Sequence, residues 1–307
     1  MNYAELWQTV QDYTQNYEQT FVANIPVFVQ QAEERIYNTV QIPALRRNVT
    51  GSAQQNSPYL SCPTDFLSVF SMAVVDGDGN YEYLLNKDVN FLRAAYPNPN
   101  ETGAPKYYTL FGPEVVNRAA TNELSFMLAP TPDTNYDIEL HYYYYPVSIV
   151  QGVIKLLGAI TGGSGYTNGA YYRVPLTGGT GSGATADIVV SMGSISSVTL
   201  RSGGSFYTAG DVLSASTDYL GAGTGFSISV DTLVNPDGSS WLGDNYSPAL
   251  LYGSLVEAYI FMKGEQDMMT YYEGKFKEAL GQLNRLGTGL ERGDAYRDGQ
   301  ARIKVTQ

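Results

Sequence analysis

Residues 162–169 read GGSGYTNG, and residues 203–210 read GGSFYTAG, the same phrase 41 positions later. Around this pair the chain changes character. Residues 151–232 hold 17 of the 32 glycines and show no helical periodicity. The repeat extends downstream, where GTGSGATADIVV (179–190) aligns with GAGTGFSISV (221–230), and ISSVTL (195–200) alternates between them as a strand. Each copy therefore reads turn, strand, glycine-rich turn, strand, and two copies can bury together a surface that neither buries alone. Glycine-dense turns supply positive φ angles. GGTGSG resembles a phosphate loop only superficially, because no Lys-Ser/Thr follows and no strand-to-helix transition is in view.

Outward from this segment the helical period returns on both sides. Tyr3, Leu6, Trp7, Val10, Tyr13 and Tyr17 form one apolar face over 3–17. Ile25, Phe28, Val29, Ala32, Ile36 and Val40 form another over 24–40, with Pro26 expected in the first turn. Downstream, Ser247-Pro248 reads as a cap and first-turn proline ahead of ALLYGSLVEAYIFMKG. A last helix opens at Asp267 and is expected to close at Gly287. Between the first helices and the glycine-rich segment lie strand signals. RRNVTGSAQQNSPYLSCP reads as two short strands about a polar turn. FLSVFSMAVV and YEYLLN read as a hairpin around DGDGN, with Gly77 and Gly79 at positive φ. Asp88 caps a short helix, KYYTLFG is a strand, and ELSFML and YDIELHYYYY make the clearest pair. In the latter, Tyr136, Ile138, Leu140, Tyr142 and Tyr144 share one face.

The expected fold class is α+β: a bundle of the N- and C-terminal helices, an antiparallel β region and an inserted small all-β domain. The expected division is 1–150 with 233–286 as the host domain, 151–232 as the insertion and 287–307 as a polar tail.

Composition narrows the chemistry. The 307 residues carry a net charge of −12, which argues against sequence-reading contacts to nucleic acid. There are 26 tyrosines but one histidine, His141, and one cysteine, Cys62. An internal disulfide, a cysteine cage for zinc and a multi-histidine metal site are thereby excluded. No apolar run approaches a membrane span, and MNYAELWQTVQDYTQ lacks the features of a signal peptide. DGDGN at 76–80 begins like a calcium loop, but Lys87 stands at the twelfth position where glutamate is needed. Nothing marks out a catalytic constellation, so no catalytic, metal or cofactor residue is assigned. The tyrosine excess fits core and subunit interfaces.

The ordered series FVQQAEERIYNTVQIPALRRNVTG, SPYLSCPTDFLSVFSMAVV, GAPKYYTLFG, LSFMLAPTPDTNYDIELHYYYYP and NYSPALLYGSLVEAYIFMKGEQDMMTYYEGKFKEAL resembles the head-to-tail adaptor (connector, or neck) proteins of tailed bacteriophages. The resemblance covers 1–150 and about 235–290, and the glycine-rich segment departs from it. It implies a non-enzymatic virion protein at the head–tail junction, made in the host cytoplasm. It also implies a ring, dodecameric in this family, between the portal protein and a tail nozzle or tail tube protein. Packaged DNA passes through that ring without sequence-specific contact, and no membrane is involved. The tail then supplies portal-interface candidates Arg292, Arg297, Arg302 and Lys304. Tyr259, Phe261, Met268, Tyr271 and Tyr272, too many for one helical stripe, are subunit-interface candidates. Tyr166 and Tyr207 are candidates for the surface of the insertion. Two other expectations stay open: a receptor- or carbohydrate-binding phage structural protein, and a virion-associated glycan hydrolase.

Overall fold

The computed structural model describes residues 1–98, 100–116 and 119–295. The protein is a mixed α+β chain with largely antiparallel sheets. It divides into two compact units, Met1–Val40 with Val147–Gln307, and Gln41–Pro146.

The first unit opens with α1 (Tyr3–Thr14) and α2 (Gln19–Thr39). Asn2 starts α1 through a capping box: its side chain accepts the Glu5 N–H, and the Glu5 carboxylate accepts the Asn2 N–H. α2 begins five residues earlier than its pattern suggested, which places Pro26 inside the helix instead of in its first turn. Phe21 is fully buried and extends the face of Ile25, Phe28, Val29, Ala32 and Ile36 by one turn. Burying that ring outweighs the hydrogen bond that Pro26 cannot give to the Val22 carbonyl.

The second unit contains β1 (Arg46–Ala53), β2 (Tyr59–Ser61), β3 (Phe66–Val75), β4 (Tyr81–Tyr83), β5 (Leu85–Asn86), α3 (Val89–Ala95), β6 (Tyr107–Val116), β7 (Ala119–Ala129) and β8 (Tyr136–Tyr144). They form two four-stranded sheets, β1-β8-β3-β4 and β2-β7-β6-β5, with a shared core. The expected face of β8 supplies much of it: Ile138, Leu140 and Tyr142 are buried and pack with Met72, Val74 and Phe126. β3 and β4 pair as the expected hairpin, although only Gly79 in its turn takes a positive φ, at 83°. Asp76 holds that turn, accepting N–H groups from Asp78 and Asn80 and the Asn80 side-chain amide. α3 is capped by Asp88 as read. The clearest strand pair in the sequence turns out not to pair. β7 and β8 lie in different sheets, because each aims its apolar face at the common core from its own side.

The first unit resumes with β9 (Ile154–Ser164), β10 (Gly169–Thr177), β11 (Ser182–Ser191), β12 (Ser194–Ser205), β13 (Val212–Ala215), α4 (Thr217–Leu220) and β14 (Thr224–Leu233). Each copy of the repeat contributes three strands, one more than its alternation showed. The middle strands of the two copies, β10 and β13, pair with each other through Leu176 and Thr177. The sheet order is β12-β11-β10-β13-β14-β9. Exchanging each strand for its counterpart in the other copy returns the same order reversed, so the sheet has an internal two-fold. Its edge strands close on each other: a side chain on Gly162 would lie 2.6 Å from the Ile195 carbonyl oxygen, and one on Gly203 2.6 Å from that of Ile154. The core is built in equivalent pairs. Tyr166 and Tyr207 are both buried, each with its ring under a glycine, Gly223 and Gly181 respectively. Ile188 and Val230, Ala186 and Ile228 fill matching places between them.

The chain then forms α5 (Trp241–Asn245), α6 (Ser247–Phe261) and α7 (Gln266–Ala295). Ser247 is the first residue of α6 and not its cap, which falls on Tyr246. α6 lies against α1, α2 and α7 and is apolar around its circumference, as a central helix must be. Gly253 admits its neighbours: a Cβ there would lie 2.9 Å from Ala32 Cβ and 3.0 Å from the Phe276 ring. α7 runs through Gly287 to Ala295, so Gly287 does not end it. A single interior glycine costs a helix only about 1 kcal/mol relative to alanine, which a long helix absorbs.

Candidate assembly surfaces

The helices of the first unit present two kinds of surface. The junction of α6 and α7 exposes Ile260, Phe261 and Tyr271, each close to half accessible, while Tyr13 near the end of α1 and Tyr17 just beyond it are also open. This aromatic ground is anchored. Phe261 packs on Phe28 and Phe21, at ring-centroid distances of 5.2 and 6.3 Å. Tyr272 is buried and packs at a tilt on Tyr259, with ring centroids 5.0 Å apart, and burial raises its phenol to about 12. Of the five expected interface residues, Phe261 and Tyr271 are exposed, Tyr259 and Met268 are half-buried, and Tyr272 belongs to the core. The second surface is a groove of about 680 Å³ along α2, α6 and α7. Arg35 crosses it, bonding Glu257 at 2.8 Å and Glu273 at 3.3 Å with its guanidinium 4.7 Å from the Phe276 ring centroid. Lys277 reaches Glu273 from the next turn at 3.6 Å.

The two-fold sheet has two equivalent ends that meet different fates. At the end built from the second phrase, Phe206 takes a φ of +62° and lays its ring against Tyr3 at 5.0 Å and Trp7 at 5.8 Å. The first phrase has Gly165 at the matching place, with a φ of +79°, exposed and without a side chain to dock. The same left-handed conformation recurs in both copies, and one copy accepts its strain on a phenylalanine in order to hold α1. Tyr166 and Tyr207, expected at the surface, are instead the buried cores of the two turns. No feature of the one-letter pattern separates a tyrosine that faces out from one tucked under a glycine two strands away.

Where the sheet leaves and rejoins the helices, one carboxylate is buried. Glu33 of α2 accepts the Ser148 hydroxyl and the Ile149 N–H, at 2.5 and 2.8 Å. Burial raises its pKa from 4.5 to about 7, against the opposing pull of those two hydrogen bonds. Asn235 ties the returning chain to the departing one, donating to the Ser148 and Ser239 carbonyls and accepting the Gly238 N–H. Sequence reading passed over Glu33, which looks like any acid on a helix. Its only signal was a place beside Ala32 and Ile36 on the apolar face.

The rarer reactive groups are placed as follows. His141 sits on the outer face of β8 with Glu139 3.7 Å away. Cys62 is buried, and burial pushes its thiol up to about 12, far from a reactive thiolate. Among the described residues no cluster of three or more His, Cys, Asp or Glu side chains forms a metal site, and no helix is long and apolar enough to cross a membrane. Arg292 lies in α7, whereas Arg297, Arg302 and Lys304 fall outside the described residues.

What the described residues of the first unit offer is anchored aromatic surface and an ion-paired groove on a helix-and-sheet frame. Residues 1–159, just over half of the 307, match the family described as SU10 adaptor protein. The chain belongs to that family, and with it to the structural adaptor proteins of phage virions, whose role is non-enzymatic. A comparison with curated proteins found no match.

Proposed function

We propose that this protein is a head-to-tail adaptor that assembles into a ring between the portal protein and the tail. There the ring extends the DNA channel and supports attachment of a tail nozzle or tail tube protein. The observation that carries the reading is the family match over 1–159, which spans both helices of the N-terminal pair and the whole of the second unit. The exposed Phe261, Tyr271, Tyr13 and Tyr17 support self-association, since aromatic side chains are enriched in the cores of subunit interfaces. A head-to-tail contact between copies that closes on itself gives a ring, and twelve copies is the number proposed. The net charge of −12 suits a conduit that DNA traverses without adhering. Residues 287–307 are proposed to meet the portal through Arg292, Arg297, Arg302 and Lys304. The repeat sheet is proposed as an insertion in the adaptor plan, carried on the helices at its Phe206 end.

The test is to mix the purified protein with DNA-filled, tail-less phage heads and image the products by electron microscopy. The expected result is a ring of added density at the portal vertex. Its absence there, with binding at a fibre or distal tip in whole virions, overturns the reading.

A further inference from the structure

A cavity of about 330 Å³ lies within the first unit, where α1 and α2 face the Phe206 end of the repeat sheet. Ligand pockets run from about 300 to 1,000 Å³, so this one suits a ligand of one or two small rings. Its sheet wall is nearly bare of side chains. Gly183 and Gly204 line it at φ angles of +81° and +60°, and a ligand there meets main chain and the hydroxyls of Ser182 and Ser202. Its helix wall carries the half-buried indole of Trp7 and the exposed amide of Gln30. Val22 and Pro26 stand on the same wall. Pro26 lies inside α2 and has no N–H to give the Val22 carbonyl, so this acceptor lacks its helical partner.

The polar groups select a class of ligand. The serine hydroxyls and the glutamine amide both donate and accept, whereas the Val22 carbonyl only accepts. No acidic side chain is among the residues that line the cavity. Arg201 is the one cation there, and Asp187, outside the lining, balances it at 2.6 Å. An anion would find that single guanidinium already paired. A hydrocarbon would leave the other polar groups without partners. A neutral polyhydroxylated ring meets both demands, because its hydroxyls donate and accept and its C–H face packs on an aromatic side chain.

The internal two-fold of the sheet supplies a comparison. Gly225 and Gly163 occupy the matching turns of the other end at +84° and +61°, so the main chain is the same there. Ile160 stands where this end has Arg201, and Gly165 where it has Phe206. Like backbones therefore carry unlike linings.

The geometry points to a binding site for a neutral saccharide unit of a glycan, between α1, α2 and the Phe206 end of the sheet. Trp7 is the platform for the ring, and Gln30, Ser202, Arg201 and the Val22 carbonyl bond its hydroxyls. The inference stands on this cavity, whether or not the chain forms a ring at the portal. It is tested by calorimetric titration of the full chain with glucose, galactose, N-acetylglucosamine and the linear trisaccharide of each. At least one of these should bind. Ala23→Trp places an indole in the cavity from an exposed position of α2 and should abolish binding, with circular dichroism unchanged. Gln30→Ala should weaken binding about fivefold, as loss of one neutral hydrogen bond does, and Arg201→Ile at least as much. Ile160→Arg, at the other end of the sheet, should leave it unchanged. Failure of every saccharide to bind overturns the proposal. So does binding that survives Ala23→Trp, and so does uptake of acetate or phosphate in place of the saccharides, which would make the cavity an anion site.

Discussion

Replacing Glu33 with glutamine tests how the helices and the repeat sheet are joined. The buried carboxyl has a folded-state pKa of about 7 against 4.5 for the ordinary group, with burial as the main cause. Because the folded value is the higher one, the folded state holds this proton more tightly. The stability so gained is fully present below pH 4.5 and is lost as pH rises through about 7. At about 1.4 kcal/mol per pKa unit the loss amounts to roughly 3 kcal/mol between those limits. Glutamine is uncharged at every pH and keeps both partners, accepting the Ile149 N–H and donating to the Ser148 hydroxyl. Glu33→Gln should therefore match the parent near pH 4 and exceed it at pH 8 by up to roughly 3 kcal/mol. The assay is urea denaturation from pH 4 to pH 8, followed by tryptophan fluorescence. Both tryptophans, Trp7 and Trp241, lie in the unit that contains Glu33, so the second unit contributes nothing to the signal. A difference between variant and parent that stays flat across this range, or a variant weaker at pH 8, would refute the burial argument. Either outcome would mean that the carboxylate is solvated or paired at neutral pH.

Phe206→Ala should destabilise the first unit by roughly 2 kcal/mol, since a half-buried ring is lost from Tyr3 and Trp7 while the left-handed backbone remains. Trp7 emission should shift with it, and unchanged stability and emission would show that the ring does not couple helix to sheet. Met192 tips the two-residue turn between β11 and β12 at a φ of +54°, followed by Gly193 at +74°, and is 96% exposed. Both positive angles suit a turn that favours Asn-Gly, so Met192→Asn should raise the thermal midpoint, with a gain of about 0.5–1 kcal/mol. A lower midpoint would mean that the methionine side chain makes a contact worth more than the backbone strain.

Much of this molecule was legible in one dimension because its signals are local. The Asp88 cap, the hairpin about Asp76 and the alternation of β8 each depend on neighbours a few residues away. The repeat of GGSGYTNG as GGSFYTAG announced two like units in the same way. Beyond that hairpin, which strand pairs with which was not legible. β7 and β8 alternate alike and follow one another, yet they belong to opposite sheets, because a shared core rewards two facing sheets and not a hairpin. The boundaries of α2 and α7 also moved. A buried ring at Phe21 outweighed a proline's missing bond, and a long helix absorbed Gly287.

The candidate surfaces divide along the same line. That Phe261 and Tyr271 exceed one helical stripe is visible from spacing alone, and both are exposed. That Tyr272 beside them is core, and that Tyr166 and Tyr207 lie under glycines, depends on residues distant in sequence. The sequence by itself determined that the chain has helices at its flanks, strands between, and a twofold glycine-rich repeat. It also carried the family. Only the tertiary structure decided that the two copies close into one palindromic sheet and that the Phe206 end, not the Gly165 end, meets α1. Burial and hydrogen-bond satisfaction are settled by the full set of neighbours, and a repeat that looks symmetric as text becomes unequal once one of its ends has a helix to touch.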